Sequence, residues 1–293
     1  MSGWPSLGTI NFKRVGVKTY SFLFAFQERY DIITHMDCEK NKIFRGDCIE
    51  FMDESIPYKS IDLILTSPPY NMTKRPGGDA DSGRYDEYDD WKEPEEYLKW
   101  TSDIFNSFDC CLKENGVVLY NFSYSIENPS FPYQLVSHLI ENTNFCIADT
   151  IIWKKKSSIP YPASPNRLQR ICEFVFVFVR KDEIRTFNTN KQVTKVSTTG
   201  QKYYQPMINF IDAANNDGAT KDINQATFST DLVKKLLKIY AKPDEHFIVY
   251  DPFIGTGTTG KGCMEYGCSY IGTEISKSQC DYANERLKKV SVL

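Results

Sequence analysis

A tetrapeptide with a hydroxyl, two prolines and an aromatic ring, Ser67-Pro68-Pro69-Tyr70, follows the apolar run 61–65, which has the composition of a buried strand. Consecutive prolines fix their own φ angles and cannot donate to a sheet, so the backbone there is stiff and its carbonyl oxygens are free to accept. Such a strand end could bind a flat ligand that carries an amine, for example a nucleobase. A proline-rich turn between a strand and a helix has the same composition, and the tetrapeptide alone leaves both interpretations open.

A glycine-rich loop, DPFIGTGTTG at 251–260, lies near the other end of the chain. Gly255, Gly257 and Gly260 have the GxGxxG spacing that lets a backbone approach a ligand closely where a helix begins. Glu274 is expected at the end of the next strand, where its carboxylate could accept hydrogen bonds from both hydroxyls of a ribose. Together these residues predict a site for a cofactor that contains a nucleoside.

Asp251 distinguishes between two classes of such cofactors. A carboxylate in front of the glycines would repel the pyrophosphate of NAD, whereas it would suit the amino and sulfonium groups of S-adenosylmethionine. We therefore expect S-adenosylmethionine, with NAD as the alternative. Asp251 could also be an ordinary acid at a helix N-terminus that is satisfied by local N–H groups.

The net charge of −3 argues against a nucleic-acid partner, but the distribution of charge argues for one. Residues 151–205 contain eleven Lys and Arg against three acids, so this segment carries +8 while the remainder carries −11. A basic region on an acidic protein could bind the phosphates of DNA, although an ordinary solvated surface has the same composition. The residues expected to bind DNA are Lys154, Lys155, Lys156, Arg167, Arg170, Lys191 and Lys195.

The composition excludes several other classes of protein. A hydrophobic content of 41% is typical of a globular chain, and no apolar run approaches the roughly 20 residues that span a bilayer. The N-terminus lacks the pattern of a signal peptide. The nine cysteines form no CxxC pair and no Cys/His cluster with metal spacing, so we expect reduced thiols, no metal site and a cytoplasmic protein with no membrane partner.

Alternating strands and helices must position these motifs, and this alternation predicts an open, doubly wound α/β sheet that is mostly parallel. Between 181 and 225 the periodicity fades and Thr, Asn, Gly and Gln dominate, which indicates an insert attached to the sheet and not part of it. Strands are predicted at 42–45, 60–66, 117–122, 145–153, 171–180, 246–250 and 269–273, and helices at 48–52, 94–112, 133–140, 228–240, up to 266, and 278–289.

The two motifs together resemble the β group of DNA amino-methyltransferases, which belong to restriction-modification systems. The segment 66–70 (TSPPY) is similar to their catalytic motif S/D/N-P-P-Y, and 251–259 (DPFIGTGTT) is similar to their cofactor motif DPFxGxGTT. The order of catalytic motif, recognition region and cofactor motif is also that of the group. The resemblance covers 41–289 apart from the insert, and the residues before 41 match nothing expected of the family.

The resemblance implies a seven-stranded, circularly permuted, Rossmann-like methyltransferase sheet. It divides the chain into an N-terminal extension (1–40), a catalytic half (41–180), a target-recognition insert (181–225) and a cofactor-binding half (226–293). It also implies duplex DNA as substrate, a possible cognate restriction endonuclease, and a monomer or homodimer. The implied catalytic residues are Ser67, Pro68, Pro69 and Tyr70, and the implied cofactor-binding residues are Asp47, Thr66, Phe228, Asp251, Pro252, Phe253, Gly255, Gly257, Thr258, Thr259 and Glu274.

The expected reaction is methylation of an exocyclic amine on a base that is flipped out of the duplex, because a paired base is inaccessible. Ser67 and the Pro68 carbonyl are expected to accept hydrogen bonds from the amine, Tyr70 to stack on the base, and the acidic loop 72–91 to close over it. In the resembling group the serine form of the motif goes mostly with cytosine N4, which we therefore favour over adenine N6. A nicotinamide oxidoreductase, a DNA-binding subunit without catalysis, and methylation of RNA or protein are the remaining alternatives.

Overall fold

The computed structural model describes residues 38–71, 92–124, 128–159, 165–166, 168–218 and 228–290. The predictions for the N-terminal extension up to residue 37, the acidic loop 72–91 and Arg167 lie outside these ranges. All nine cysteines lie within them and are free thiols. No helix in the described ranges has the length and apolar character that crossing a membrane requires.

Eight strands form one sheet in the order β1-β10-β9-β2-β3-β5-β4-β8, and β6 and β7 form a separate antiparallel pair. Among the described strands of the large sheet, only β5 runs against the others, since it is antiparallel to both β3 and β4. The prediction of a mostly parallel α/β sheet is therefore confirmed. The strands are β1 Lys42–Arg45, β2 Ile61–Thr66, β3 Leu112–Phe122, β4 Phe145–Ile159, β5 Arg170–Arg180, β6 Val193–Val196, β7 Lys202–Tyr204, β8 Phe210–Ala213, β9 Ile248–Asp251 and β10 Ser269–Glu274.

Helices cover both faces of the sheet, as expected of a doubly wound fold. Apolar residues of α1, α2 and α3 are buried in one cluster, which includes Met52, Ile104 and Leu135. Residues of α4, α5 and α6 are buried in a second cluster, which includes Leu236 and Cys263. The helices are α1 Cys48–Ser55, α2 Pro94–Cys111, α3 Phe131–Asn142, α4 Thr230–Tyr240, α5 Thr258–Tyr266 and α6 Lys277–Val290, with a short 3₁₀ helix at Lys181–Glu183.

The segment 181–225 differs from its prediction in two respects. Its strand β8 pairs in parallel with β4 at the edge of the large sheet, so this sheet has eight strands and not the expected seven. Residues 193–204 form the small antiparallel pair, in which every strand residue is exposed. Sequence periodicity missed β8 because an edge strand of four residues is too short to establish an alternating pattern.

Local sequence signals explain where the predicted helices begin. Ser229 is the N-cap of α4, and its hydroxyl accepts a hydrogen bond from the backbone N–H of Leu232. Asp47 caps α1 in the same way, and Pro94 occupies the first turn of α2, where its missing N–H costs nothing. These caps fix the connections that follow β1 and precede β9, and so they fix the strand ends at the site described next.

Candidate active site

Four neighbouring parallel strands, β1, β10, β9 and β2, end at the same edge of the sheet. The strand ends carry Asp47, Glu274, Asp251 and Ser67, respectively. In open α/β sheets, ligands bind outside the carboxyl ends of the strands. The topology therefore brings the two sequence motifs together, because β2 and β9 are adjacent strands.

 Thr66 at the end of β2 and Asp251 at the end of β9 are 185 positions apart in sequence, and the pairing of these strands brings them into contact.

Asp251 is buried, and three donors within the protein surround its carboxylate. The hydroxyl of Thr66 donates to Oδ1 over 2.7 Å, the hydroxyl of Thr259 donates to Oδ2, and the backbone N–H of Phe253 donates to Oδ1 over 3.0 Å. Burial raises the pKa of Asp251 to about 6, and the three hydrogen bonds oppose that rise. The hydrogen bond expected from a local backbone N–H is therefore present, together with two from hydroxyl groups. Asp251 also lines the cavity described below.

Glu274 joins the glycine-rich loop to the start of α6. Its Oε2 accepts a hydrogen bond from the backbone N–H of Gly255 over 2.9 Å, and its Oε1 accepts one from that of Ser276 over 2.8 Å. Each carboxylate oxygen can accept a second hydrogen bond. The carboxylate is therefore held in a fixed orientation at the edge of the sheet.

The glycines of the loop have different roles. Gly255 and Gly257 have φ values of 53° and 83°, in the left-handed region that favours glycine. Gly260 has a packing role, because a Cβ there would lie 2.9 Å from the side chain of Leu287 and 3.0 Å from the ring of Tyr270. The GxGxxG spacing therefore reflects both the shape of the loop and the close packing of α5.

A cavity of about 220 Å³ lies at this edge of the sheet. Most of the predicted catalytic and cofactor-binding residues line it, but Thr66, Thr259 and Gly257 are not among the lining residues. Pro68 and Tyr70 are also outside the lining. The residues that line it are Gly46, Asp47, Cys48, Ser67, Pro69, Lys92, Trp100, Phe228, Asp251, Pro252, Phe253, Ile254, Gly255, Thr258, Glu274, Ile275 and Gln279.

The charges of the lining test the two expected classes of cofactor. Among the described residues, the lining includes three carboxylates, those of Asp47, Asp251 and Glu274, and one lysine, Lys92. Such a wall attracts a cation and repels a pyrophosphate. Asp47 uses only Oδ1 to cap α1, accepting from the N–H groups of residues 49 and 50. The residues present therefore fit the cationic S-adenosylmethionine and do not fit NAD.

Sequence reasoning missed seven residues of the lining. Five of them, Gly46, Cys48, Ile254, Ile275 and Gln279, are close in sequence to residues that were predicted, so proximity could have indicated them. Lys92 and Trp100 carry no such signal. Trp100 comes from α2, and its ring centroid lies 5.6 Å from that of Phe253 and 6.0 Å from the Lys92 ammonium.

The hydroxyls of Ser67 and Tyr70 form a hydrogen bond with each other over 3.0 Å. The Tyr70 hydroxyl also contacts Asn121 Oδ1 at 3.0 Å and Glu173 Oε2 at 3.1 Å. The Tyr70 ring packs against Phe122, with the centroids 5.0 Å apart. Both ends of the Tyr70 side chain are thus fixed by β3 and β5, neither of which contains a recognised motif.

The two proline carbonyls of the tetrapeptide differ in their availability. The buried hydroxyl of Tyr97, in α2, donates to the Pro69 carbonyl over 2.6 Å. Among the residues that the structure describes, none donates to the Pro68 carbonyl. The expectation that both carbonyls are free is therefore wrong for Pro69, because Tyr97 already occupies it.

The three consecutive lysines in β4 do not form one exposed basic patch. Lys155 is 14% exposed, pairs with Glu173, and lies 4.8 Å above the ring of Trp153. Lys154 and Lys156 are more exposed and both pair with Asp212, whose pKa their hydrogen bonds lower to about 2. The Lys155 side chain is therefore mostly buried, whereas its predicted role as a phosphate ligand requires an exposed ammonium.

The other predicted DNA-binding residues occupy different positions. Lys191 and Lys195 are exposed, and Lys195 lies in the small antiparallel pair. Arg170, at the start of β5, donates to the carbonyl of Tyr124 and lies 5.0 Å above its ring. Phosphate contacts by these three residues stay predictions.

Comparison with known proteins gives consistent matches. A protein-family model described as DNA methylase, N6_N4_Mtase, matches residues 61–285, which is more than three quarters of the chain. The Type II methyltransferase M.HinfI of Haemophilus influenzae is 27% identical over 261 residues, covering 85% of this chain and 69% of that protein. The orphan methyltransferase M.BamHII of Bacillus amyloliquefaciens is 28% identical over 274 residues, covering 83% of this chain and 94% of that protein.

Solved structures have the same fold. The PvuII DNA methyltransferase, described as cytosine-N4-specific, has a TM-score of 0.63 at 21% identity, covering 85% of this chain and 89% of that chain. The complex of M1.HpyAVI with SAM has a TM-score of 0.53 at 24% identity, covering 84% of this chain and 98% of that chain. At these identities the likeness concerns the fold alone.

Proposed function

The chain belongs to the DNA methylase family, and we propose that it transfers a methyl group from S-adenosylmethionine to the exocyclic amine of a base flipped out of duplex DNA. One observation carries the proposal. Ser67 of the Ser-Pro-Pro-Tyr motif and the carboxylates of Asp251 and Glu274 line the same cavity of about 220 Å³. An acceptor for an amine and an acidic wall for a cationic cofactor therefore lie side by side.

Three carboxylates would hold the cofactor. Glu274 would accept hydrogen bonds from the ribose hydroxyls, because the backbone N–H groups of Gly255 and Ser276 hold its carboxylate in place at the cavity. Asp251 faces the cationic part of the molecule, and Asp47 offers Oδ2 to a donor of the adenine. Phe228, Phe253 and Ile275 supply apolar surface at the same wall.

The chain's own groups would prepare the amine for reaction. An exocyclic amine is a weak nucleophile because its lone pair is delocalised into the ring. Acceptors for its two hydrogens, Ser67 Oγ and the Pro68 carbonyl, favour a tetrahedral nitrogen and localise the lone pair. S-adenosylmethionine, when bound, supplies an electrophilic methyl group. Asp47, Asp251 and Glu274 would hold this cofactor, while Ser67 Oγ and the Pro68 carbonyl would hold the amine for methyl transfer, after which the amine would release one proton to water. Positioning and fixed dipoles account for the rate.

Cytosine N4 is the proposed target atom. The support is Ser67, because in the group that the chain resembles the serine form of the motif goes mostly with cytosine N4. Adenine presents a similar amine beside a ring nitrogen, so methylation at adenine N6 by the same groups is the alternative. The exposed strands β6 and β7 and the basic residues near them would contact the duplex.

The test is methylation of unmodified duplex DNA with isotopically labelled S-adenosylmethionine, followed by digestion to nucleosides and mass spectrometry. We expect labelled N4-methyldeoxycytidine, and we expect its loss in the Ser67→Ala variant. Methylated deoxyadenosine alone would overturn the target base and leave the reaction class intact. DNA binding without any methylated nucleoside would instead indicate a non-catalytic subunit and overturn the proposal.

A calorimetric titration separates the cofactor from its alternative. The acidic lining predicts binding of S-adenosylmethionine and no measurable binding of NAD at the same concentrations. Tight binding of NAD would contradict the reaction class, because NAD carries a hydride and has no methyl group to transfer. Methylation of RNA or protein in place of DNA, tested with the same labelled cofactor, would contradict only the substrate.

A further inference from the structure

A buried ion pair lies behind the Ser-Pro-Pro-Tyr motif, outside the cavity. Glu173 in β5 and Lys155 in β4 have side chains that are 11% and 14% exposed, and Lys155 binds Oε1 of Glu173. The other oxygen, Oε2, lies 3.1 Å from the Tyr70 hydroxyl. Burying two charges costs free energy unless their geometry is good and the remaining lone pairs are satisfied. The proposed function leaves this pair without a role.

The number of protons at Tyr70 fixes the direction of its hydrogen bonds. A phenol has one proton to donate, and the groups that contact its oxygen include Glu173 Oε2, Asn121 Oδ1 and the Ser67 hydroxyl. Glu173 accepts at both oxygens, because Lys155 binds Oε1 and the Tyr70 hydroxyl donates to Oε2. If Asn121 Oδ1 is also an acceptor, the Tyr70 proton points toward these two groups and away from Ser67.

The orientation of the Asn121 amide follows from its other contacts. Its Nδ2 donates to the Phe174 carbonyl over 3.0 Å and lies 3.5 Å from Glu173 Oε2. Both of these are acceptors, so the amide nitrogen belongs on that side and Oδ1 faces Tyr70. The two neighbours of Tyr70 on the β3–β5 side are therefore both acceptors, and the Ser67 hydroxyl must donate its own proton to the Tyr70 oxygen.

We propose that Glu173, held as a carboxylate by Lys155, is a positioning residue that acts through Tyr70 to make Ser67 an acceptor toward the substrate amine. This proposal rests on the proposed function, because it assigns a role to residues behind the same site. A serine hydroxyl could otherwise direct its proton at the amine, where it would compete with the N–H. With that proton donated to Tyr70, the Ser67 lone pairs face the cavity.

The kinetic test uses single-turnover methyl transfer at saturating DNA and cofactor. In Glu173→Gln an amide N–H can donate to Tyr70, which reverses the direction of the hydrogen bonds. We expect the rate to fall by at least about tenfold, as when a fixed dipole is lost at a reacting group, with the affinities for cofactor and DNA unchanged. Tyr70→Phe keeps the ring and removes the hydroxyl, so it should slow the reaction similarly.

The double variant shows whether Glu173 acts through Tyr70. We expect the double variant Tyr70→Phe and Glu173→Gln to be no slower than Tyr70→Phe alone, whereas losses that multiply would overturn the proposal. The matched control is Glu114→Gln, at the other end of β3, whose exposed side chain pairs with Lys59. It should react at the wild-type rate. If Glu173→Gln does not fold, Tyr70→Phe decides alone, and a wild-type rate in that variant would overturn the proposal.

A spectroscopic test is independent of methyl transfer. In protein labelled with ¹³Cζ-tyrosine, the Tyr70 resonance is assigned by its absence in Tyr70→Phe. We expect this resonance to shift in Glu173→Gln and to stay in place in Glu114→Gln. An unchanged resonance in a folded Glu173→Gln protein would overturn the hydrogen-bond direction. A wild-type protein that methylates nothing would instead overturn the proposed function, and the resonance would still decide the role of Glu173.

Discussion

Thr66 Oγ1 donates a hydrogen bond of 2.7 Å to Asp251 Oδ1 and so joins the end of β2 to the end of β9. Thr66 immediately precedes the Ser-Pro-Pro-Tyr motif, and Asp251 begins the glycine-rich segment. Both side chains are buried, with exposed fractions of 0% and 1%. The proposed base site and the proposed cofactor site therefore share one rigid contact, which fixes the distance between the two reactants.

The affinity for S-adenosylmethionine should depend on the ionisation of Asp251. Its pKa is about 6, so the carboxylate is mostly charged at pH 7 and mostly protonated at pH 5. Because the charged form attracts a cationic ligand, we expect affinity to rise about tenfold from pH 5 to pH 7. Calorimetric titration over this range measures the dependence.

Two variants control for other titrating groups. Asp251→Asn should bind weakly at both pH values and lose the dependence. Thr66→Val removes one donor that stabilises the charged carboxylate, so it should raise the pKa of Asp251 and move the midpoint to higher pH. An unchanged pH profile in Asp251→Asn would assign the dependence to another group.

Glu274→Gln should weaken cofactor binding by tenfold or more. The amide keeps the shape of the side chain, but its nitrogen cannot accept a hydrogen bond from a backbone N–H or from a ribose hydroxyl on that side, and hydrogen bonds to charged groups contribute about 1.5–3 kcal/mol each. Glu285→Gln, an exposed glutamate on α6, is the matched control and should bind normally. Equal affinity in the two variants would contradict the assignment of Glu274.

The lysines of β4 should separate into two kinds. Lys155→Met should lower the free energy of unfolding by about 2–4 kcal/mol, because it leaves Glu173 buried and unpaired. Lys154→Met and Lys156→Met should each cost much less, because exposed ion pairs contribute little to stability. Denaturant unfolding of the three variants measures this. Equal losses in all three variants would show that the buried ion pair contributes no more to stability than the exposed ion pairs do.

The exposed pair of lysines should act on DNA affinity. The double variant Lys154→Gln and Lys156→Gln should weaken binding to all duplexes alike and reduce the salt dependence of the affinity, because phosphate contacts carry no base information. Fluorescence anisotropy with several unrelated duplexes at several salt concentrations is the measurement. A loss confined to one sequence would instead make these lysines base readers.

Tyr97→Phe should loosen the Ser-Pro-Pro-Tyr motif. The variant leaves the Pro69 carbonyl without its donor, and an unsatisfied buried acceptor costs about 1–3 kcal/mol. We expect lower stability in thermal unfolding together with slower single-turnover methyl transfer. Tyr133→Phe, an exposed tyrosine that is 63% accessible, is the control and should change neither. A destabilised variant with a full rate would mean that the hydrogen bond serves the fold alone.

The sequence by itself determined both motifs and the elements other than β6, β7 and β8. Helix caps such as Asp47 and Ser229, and glycines such as Gly255, act within a few residues, so their roles can be inferred from neighbouring positions. The apolar runs and the order of the motifs likewise predict the strands, the helices and the class of fold. Local hydrogen bonding and periodicity depend on short segments, which a sequence displays directly.

The tertiary structure alone decided which distant side chains meet. Glu173 is one acid within an apolar strand, Lys155 is the middle of three lysines, and Tyr97 belongs to the apolar side of α2. Nothing within a few residues of any of them indicates a contact with the Ser-Pro-Pro-Tyr motif. Their contacts depend on the order and register of β2, β3, β5 and β4, which are set by the packing of the whole sheet.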